Sequence, residues 1–531
     1  QIEIGSGGWT DGDEDKTGLR GYVGLTIPGG WPLFVGGSTG SLAFAFTNLH
    51  GDLADLVVVE TDPNDPSRYL TPEGSEPFGI VTESIAVRNE ETRTLDVRTT
   101  RWGPIVAIDA DGRPLALRWI VQDPLALVGD GADLARELSA VRTVAEAVRV
   151  VSRAGGPPLN VVVADAHGDV AYAVMGALPT RRDGRMSKDW RDARTEWPIS
   201  LDAKPEPIVA PASGVVFNAN NRSLSLDAWS AVGRQPGAPS RAFRIRELLA
   251  EHLAGPASDV DERAMLEMQF DAHAYRYSYL AAHFSAALQD ASDPDLRALG
   301  GMFADWDGKA SANSRVYPIA YEISRVLEAD LIGRLALPAL EARQAKSSES
   351  ADADEPGPWW FRVPVRSRDT VRAALAERPD HLLPAGFDEW DDYLRDVAAY
   401  AIAGMGGAEV AARTGRTWGE RNKLAVRHPL SDALPSSFAW LKDRLSLPEV
   451  QQAGAGGTIH VTGRTFGASN RLVVSPGREE FGVLQLPGGR SGIPMSRLSQ
   501  NRFEAWATGE PDPLLARDPQ LEWLLNPSDR E

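Results

Sequence analysis

GGSTGSLAFAFTNLHGDLADLVVVE, residues 36–60, is the stretch from which the fold is read. It opens on Gly36-Gly37-Ser38-Thr39-Gly40, the G-x-S-x-G spacing of a nucleophile elbow. An elbow needs a helix after the serine, so that the hydroxyl stands on a strained turn above a parallel sheet. Here Ser41-Leu42-Ala43-Phe44-Ala45-Phe46 follows, small or polar residues alternating with apolar ones. Period two is the signature of a strand, so the glycines make a hairpin turn and Ser38 is no nucleophile. DLVVVE then supplies another β-branched run.

The same texture extends to about Phe217. IVAIDA, LNVVVADA, DVAYAVMG and GVVFNANN are strand-like, with DPNDPS and RRDGR among the turn clusters between such runs. One helix is predicted at about 132–153, where Leu134, Leu138, Val141, Val144, Ala147 and Val148 recur at helical spacing. From Ser240 to about Ala412 the period becomes helical throughout, interrupted by the polar stretch AKSSESADADEPGP. Strand signals return after Trp418 in GTIHVTG, SNRLVVS and FGVLQL. The predicted organisation is therefore strands over 1–239, a helical block over 240–415 and strands over 416–531 that return to the first sheet.

Composition narrows the function classes. The 531 residues correspond to about three to four domain-sized units. A formal charge of −19 argues against a nucleic-acid-binding surface. The absence of cysteine removes disulfides, thiolate metal sites and a cysteine nucleophile together. No apolar run reaches the ~18 residues of a membrane span. The chain opens on Gln1, which reads as a processed product. Asp11, Asp13 and Asp15 have the spacing that starts a calcium loop, but Lys16 and Tyr22 stand where its glycine and bidentate glutamate belong. The eight histidines are scattered without metal-ligand spacing, and His428 reads as structural.

Several ordered segments resemble the penicillin amidase family of N-terminal-nucleophile hydrolases, specifically its β subunit. Gly5-Ser6-Gly7-Gly8-Trp9 resembles the β-chain start, and residues 36–60 its Gly-x-x-Gly strand, Thr-Asn pair and acidic loop. RWGPIV (101–106) is similar to a His-Gly-Pro-Val strand, with Trp102 in place of the histidine. NVVVADAHGDVAYAVMGALPTR (160–181), NANNRS (218–223), PSRAFRIREL (239–248), MQFDAH (268–273) and DWDG (305–308) follow in the family's order. WGERNKLAVRHPL (418–430), GASNRLVV (467–474) and LPGGRSGIPMS (486–496) complete it.

The resemblance implies an α+β fold, a four-layer αββα sandwich with an inserted helical block. It implies an amide hydrolase, or acylase, acting on linear N-acyl amides through a serine acyl-enzyme. The nucleophile is Ser6, whose own α-amine serves as base once autoproteolysis of a zymogen has freed it. An α-amine has a pKa of about 7.7–8.0, suited to general-base work near neutrality. Asn48 (backbone N–H) and Asn220 (side chain) are implied as oxyanion donors, with Asn221 the alternative within the doublet, and Arg241 lies near the nucleophile. Trp31, Phe34 and Phe217 flank these residues and are candidate walls of the acyl pocket. No cofactor for catalysis is implied. A structural Ca²⁺ is, held by Asp52, Ala54, Asp55 and Pro179, with Asp227 completing the shell. The implied partners are an N-acyl small molecule and an α-subunit chain from the same precursor. The implied location is periplasmic or secreted, with the cytoplasm left open.

Three departures bear on this. Gln1–Gly5 precede the serine, the segment between Ser6 and Gly21-Tyr22 is shorter than the family's, and no α-subunit sequence is present. A catalytically silent binding or scaffold protein, and an acyltransferase, are the alternative readings.

Overall fold

A computed structural model describes residues 23–26, 34–109, 111–127, 131–180, 187–230, 232–233, 236–256, 260–347, 365–489 and 491–515. Ser6, Trp31 and the Asp11–Asp15 triplet lie outside the described residues.

The first half is built on two six-stranded sheets. The elements begin with β1 (Val23–Thr26), β2 (Phe34–Ser38), β3 (Leu42–Asn48) and β4 (Ala54–Val58). Next come β5 (Arg68–Thr71), β6 (Gly74–Pro77), β7 (Gly79–Ile85), β8 (Arg93–Thr100), β9 (Gly103–Ile108) and β10 (Pro114–Trp119). After helices α1 (Gly131–Ala140) and α2 (Val144–Arg153) come β11 (Leu159–Asp165), β12 (Val170–Met175) and β13 (Leu178–Pro179). The short strands β14 (Lys188–Asp189), β15 (Ile199–Ser200) and β16 (Ile208–Val209) close this half. The first sheet runs β1-β2-β3-β11-β12-β16 and the second β14-β4-β10-β9-β8-β7.

Gly36 to Gly40 form the hairpin between β2 and β3, with Gly40 at φ 83. The fully buried Ser38 hydroxyl donates to Glu479 at 2.6 Å. It is a structural tie between the hairpin and the C-terminal region. The predicted single helix at 132–153 is two. Thr143 turns extended and caps α2 through a reciprocal box with Glu146, which ends the continuity that spacing alone suggested. Leu42, Phe44, Val161, Val163 and Ala173 pack against Leu138, Ala147 and Val151 of these helices. Burying each such Val or Leu contributes about 1.5–3 kcal/mol. By alternation, Thr47, Asn160 and Tyr172 fall on the opposite face of the sheet.

GVVFNANN forms no strand. After α3 (Leu226–Ser230) the helical block runs α4 (Ser240–Ala254), α5 (Glu262–Met268), α6 (Tyr275–Leu288), α7 (Pro294–Ala304) and α8 (Tyr317–Ser347). It continues with α9 (Val365–Glu377), α10 (Trp390–Ala403) and α11 (Ala408–Thr414). Phe284, Leu288, Leu299, Ile323, Leu327 and Leu394 are all fully buried in its centre. Arg244 joins α4 to the block through Asp271, at 2.9 Å.

Beyond α12 (Trp418–Arg421) and α13 (Ala439–Leu445), β17 (Arg471–Val473) and β18 (Val483–Gln485) pair with each other, and α14 (Phe503–Thr508) follows. Leu484 and Leu514 pack against Val23 of β1, and among the described residues no ladder joins β17 or β18 to the first sheet. The predicted strand GTIHVTG is instead an irregular buried segment. His460 donates its backbone N–H to Asp271 O, and the Thr458 hydroxyl donates to His460 O.

Inside this region the Arg471 guanidinium bonds Gln485 Oε1 at 3.0 Å and Trp506 O at 2.8 Å, and lies 4.0 Å over the Phe270 ring. Burial, reinforced by Arg471, pulls the His460 imidazole from 6.5 down to about 4. Above 6.5 the ring is neutral whether the chain is folded or not. Between the two values the unfolded chain takes up a proton that the folded one refuses. Stability should therefore fall as pH drops from 6.5 towards 4, by on the order of 3 kcal/mol. His460→Gln should flatten this part of the curve in urea titrations at pH 7.5 and pH 5; an unchanged slope would assign it to other groups.

Candidate active site

The ladder of β3 with β2 ends at the Gly36–Ala45 pair, while pairing with β11 continues to Leu159–Asn48. The exposed end of β3 thus presents the Asn48 peptide beside the 218–223 segment.

That segment is shaped by its own amides. Asn218 Oδ1 accepts from Thr47 Oγ1 at 2.7 Å and from the Asn220 backbone N–H at 2.8 Å, while its Nδ2 donates to Ser223 Oγ at 2.9 Å. Asn221 is buried; its Oδ1 accepts from Ala219 N at 2.8 Å and its Nδ2 donates to Arg222 O at 3.1 Å. Its amide is committed to the backbone. Asn220 adopts φ 63, the left-handed region that asparagine tolerates better than most residues. Gly237 N–H closes on Asn220 O at 2.7 Å, and a Cβ at Gly237 would stand 2.7 Å from that oxygen. Only glycine allows this approach.

The Asn220 side chain points back to β3. Its Nδ2 donates to Asn48 O at 3.0 Å, and its Oδ1 accepts from Arg241 Nη2 at 2.8 Å. The same Asn48 carbonyl receives Asn160 Nδ2 at 3.0 Å. Asn160, 1% exposed, is held in turn by the Tyr172 hydroxyl at 2.7 Å. Burial raises the pKa of Tyr172, so its phenol stays a donor. Arg241 is the second residue of α4, where a cation opposes the helix dipole. Burial lowers its pKa from the ordinary value, yet a guanidinium stays charged across any working pH.

Chemically, an amide nitrogen carries two hydrogens. One of the two Asn220 Nδ2 hydrogens is used on Asn48 O. The Arg241 charge polarises the amide and makes it a stronger donor. Asn48, Asn220 and Arg241 are thus brought together, although no spacing in the sequence joins them. Sequence reasoning does not single out Asn160, Tyr172, Asn218 or Thr47. An isolated asparagine within LNVVVAD is the available signal, since a buried amide needs a partner. Phe217 lies beside Asn218 and is half-buried. Phe34 lies on β2, with its side chain outside the described residues.

The proposed metal residues are arranged differently. Asp55 is buried on β4, its Oδ2 3.0 Å from Lys188 Nζ and 2.8 Å from Trp197 Nε1. Asp52 N–H donates to Val232 O, Ala54 pairs with Trp119, and Pro179 pairs with Ile199. Asp227 is exposed on α3. Among the described residues no three His, Asp or Glu side chains are grouped as a metal site. The donor set does not fit a divalent ion, because an ammonium already faces its most buried carboxylate. Among the described residues no helix is long and apolar enough to cross a membrane.

Fold and sequence agree on the class: the chain belongs to the penicillin amidase family, which it matches over residues 18–522. It is 26% identical over 508 residues to the penicillin acylase 2 proenzyme of Pseudomonas sp. strain SE83, covering 93% of this chain and 61% of that protein. It is 25% identical over 534 residues to the acyl-homoserine lactone acylase QuiP of Pseudomonas fluorescens strain Pf0-1, covering 92% and 59%. The chain therefore spans about three fifths of these relatives' length. Thermostable penicillin G acylase from Alcaligenes faecalis superposes with a TM-score of 0.63 at 16% identity, over 100% of this chain and 94% of that one. The fold is accordingly the α+β N-terminal-nucleophile hydrolase sandwich with an inserted helical block.

Proposed function

We propose that this chain is the catalytic part of an amide-hydrolysing acylase that acts on linear N-acyl compounds through Ser6. The Arg241–Asn220–Asn48 chain of hydrogen bonds carries this reading. In the proposed reaction the Ser6 hydroxyl attacks the acyl carbon and its α-amine takes the proton. The Asn48 N–H and Asn220 Nδ2 stabilise the oxyanion. The amine then passes its proton to the leaving nitrogen as the C–N bond breaks, and water, activated by the same amine, releases the acid. The amine exists only after the Gly5–Ser6 bond has been cleaved, so autoproteolysis of a zymogen belongs to the proposal. Phe217, Trp31 and Phe34 are proposed to line the acyl pocket.

A companion chain from the same precursor is part of the reading. One relative is named a proenzyme, and this chain spans 61% of it. The second sheet also exposes apolar side chains, among them Val81, Ile85 and Leu95 at one end and Leu56 and Trp119 at the other. The proposed setting is periplasmic or secreted.

The test is N-terminal sequencing and intact-mass analysis of an active preparation, before and after a serine-reactive acyl analogue. A mature terminus at Ser6, one adduct on it and a co-purifying chain are expected. A folded preparation with free Ser6 and no adduct would favour the silent binding protein. Acyl transfer to added amines in preference to water would favour an acyltransferase.

A further inference from the structure

We propose that the Lys188 ammonium stands in for a bound cation at β4, so that this protein holds the 187–197 segment against its second sheet without calcium. Lys188 and Asp55 side chains are 6% and 0% exposed, and their charged atoms are 3.0 Å apart. Strand β14 is two residues long and runs parallel to β4, with Lys188 opposite Val57. So short a ladder does not fix a segment by backbone bonds alone. The pair to Asp55, the Trp197 indole on the same carboxylate oxygen and the Trp190 N–H to Val58 O together pin it. Arg118, the cross-strand neighbour of Asp55, adds a second positive charge, its guanidinium 4.7 Å over the Trp197 ring. A divalent ion bound at Asp55 would lie within a few ångströms of the ammonium and meet strong repulsion in a low-dielectric setting. The Lys188 ammonium already faces one oxygen of this carboxylate, and breaking a buried pair leaves an uncompensated charge.

The experiment uses the protein as isolated, with any companion chain, and reads thermal unfolding and metal content, neither of which depends on the catalytic proposal. After exhaustive chelation the Tm should equal that in millimolar calcium, and elemental analysis after gel filtration should find far less than one calcium per chain. Lys188→Met should lower the Tm by several degrees, and calcium should then raise it in a saturable way. One calcium per wild-type chain, or a Tm loss on chelation, would overturn the proposal. So would a Lys188→Met protein of unchanged Tm. Should that variant fail to fold, Asp55→Asn with Lys188→Met removes both charges at once; it should fold and ignore calcium, and a calcium response there would equally overturn the assignment.

Discussion

Ser6→Ala is expected to abolish turnover, with a loss in kcat of about a million-fold, the scale on which removing a serine nucleophile acts elsewhere. The residual rate would come from the oxyanion donors and binding alone. The variant should also retain Gln1–Gly5, because the hydroxyl that attacks the substrate is the one that would cleave the preceding peptide bond. Wild-type kcat/KM should rise with pH through about 7.7–8.0, as the α-amine loses its proton and becomes a base. A Ser6→Ala protein that hydrolyses N-acyl amides at the wild-type rate would remove the nucleophile assignment, whatever its family.

Asn220→Ala is expected to lower kcat by about 10²- to 10³-fold with little change in KM, as loss of one oxyanion donor does. The fold should survive, since the residue is only half-buried and the turn around it rests on Asn218 and Asn221. Asn221→Ala should do the reverse, lowering stability and leaving kcat per folded molecule near wild type, because its amide is spent on Ala219 and Arg222. Arg241→Ala should act through Asn220. In a double-mutant cycle its effect should largely vanish once Asn220 is gone. Additive losses would show that Arg241 serves something else.

The strands at 42–48, 54–58, 159–165 and 170–175 were legible because alternation and β-branched runs report directly on a half-buried sheet. The hairpin at Gly36–Gly40 was legible for the same reason, and the glycine motif misleads only if its flanks are ignored. The break between α1 and α2 was hidden because apolar spacing runs through it, and the cap is one threonine. GTIHVTG looks like a strand but is bound to side chains and to Asp271 rather than to a ladder. Within the asparagine doublet, composition cannot say which amide faces the backbone; the left-handed turn at Asn220 decides it. The Lys188–Asp55 pair was beyond reach, since its partners lie far apart in the chain and meet only when β14 docks.

A single carbonyl oxygen, that of Asn48, is gripped from two sides, by Asn160 from within the sheet and by Asn220 from the turn above it. On the proposed reading, small core changes near Tyr172 therefore travel to the oxyanion donors without touching substrate. Anyone retuning this protein for a new acyl chain should leave that junction intact and randomise elsewhere, because a library that varies the strand interior will confound poorer chemistry with altered selectivity.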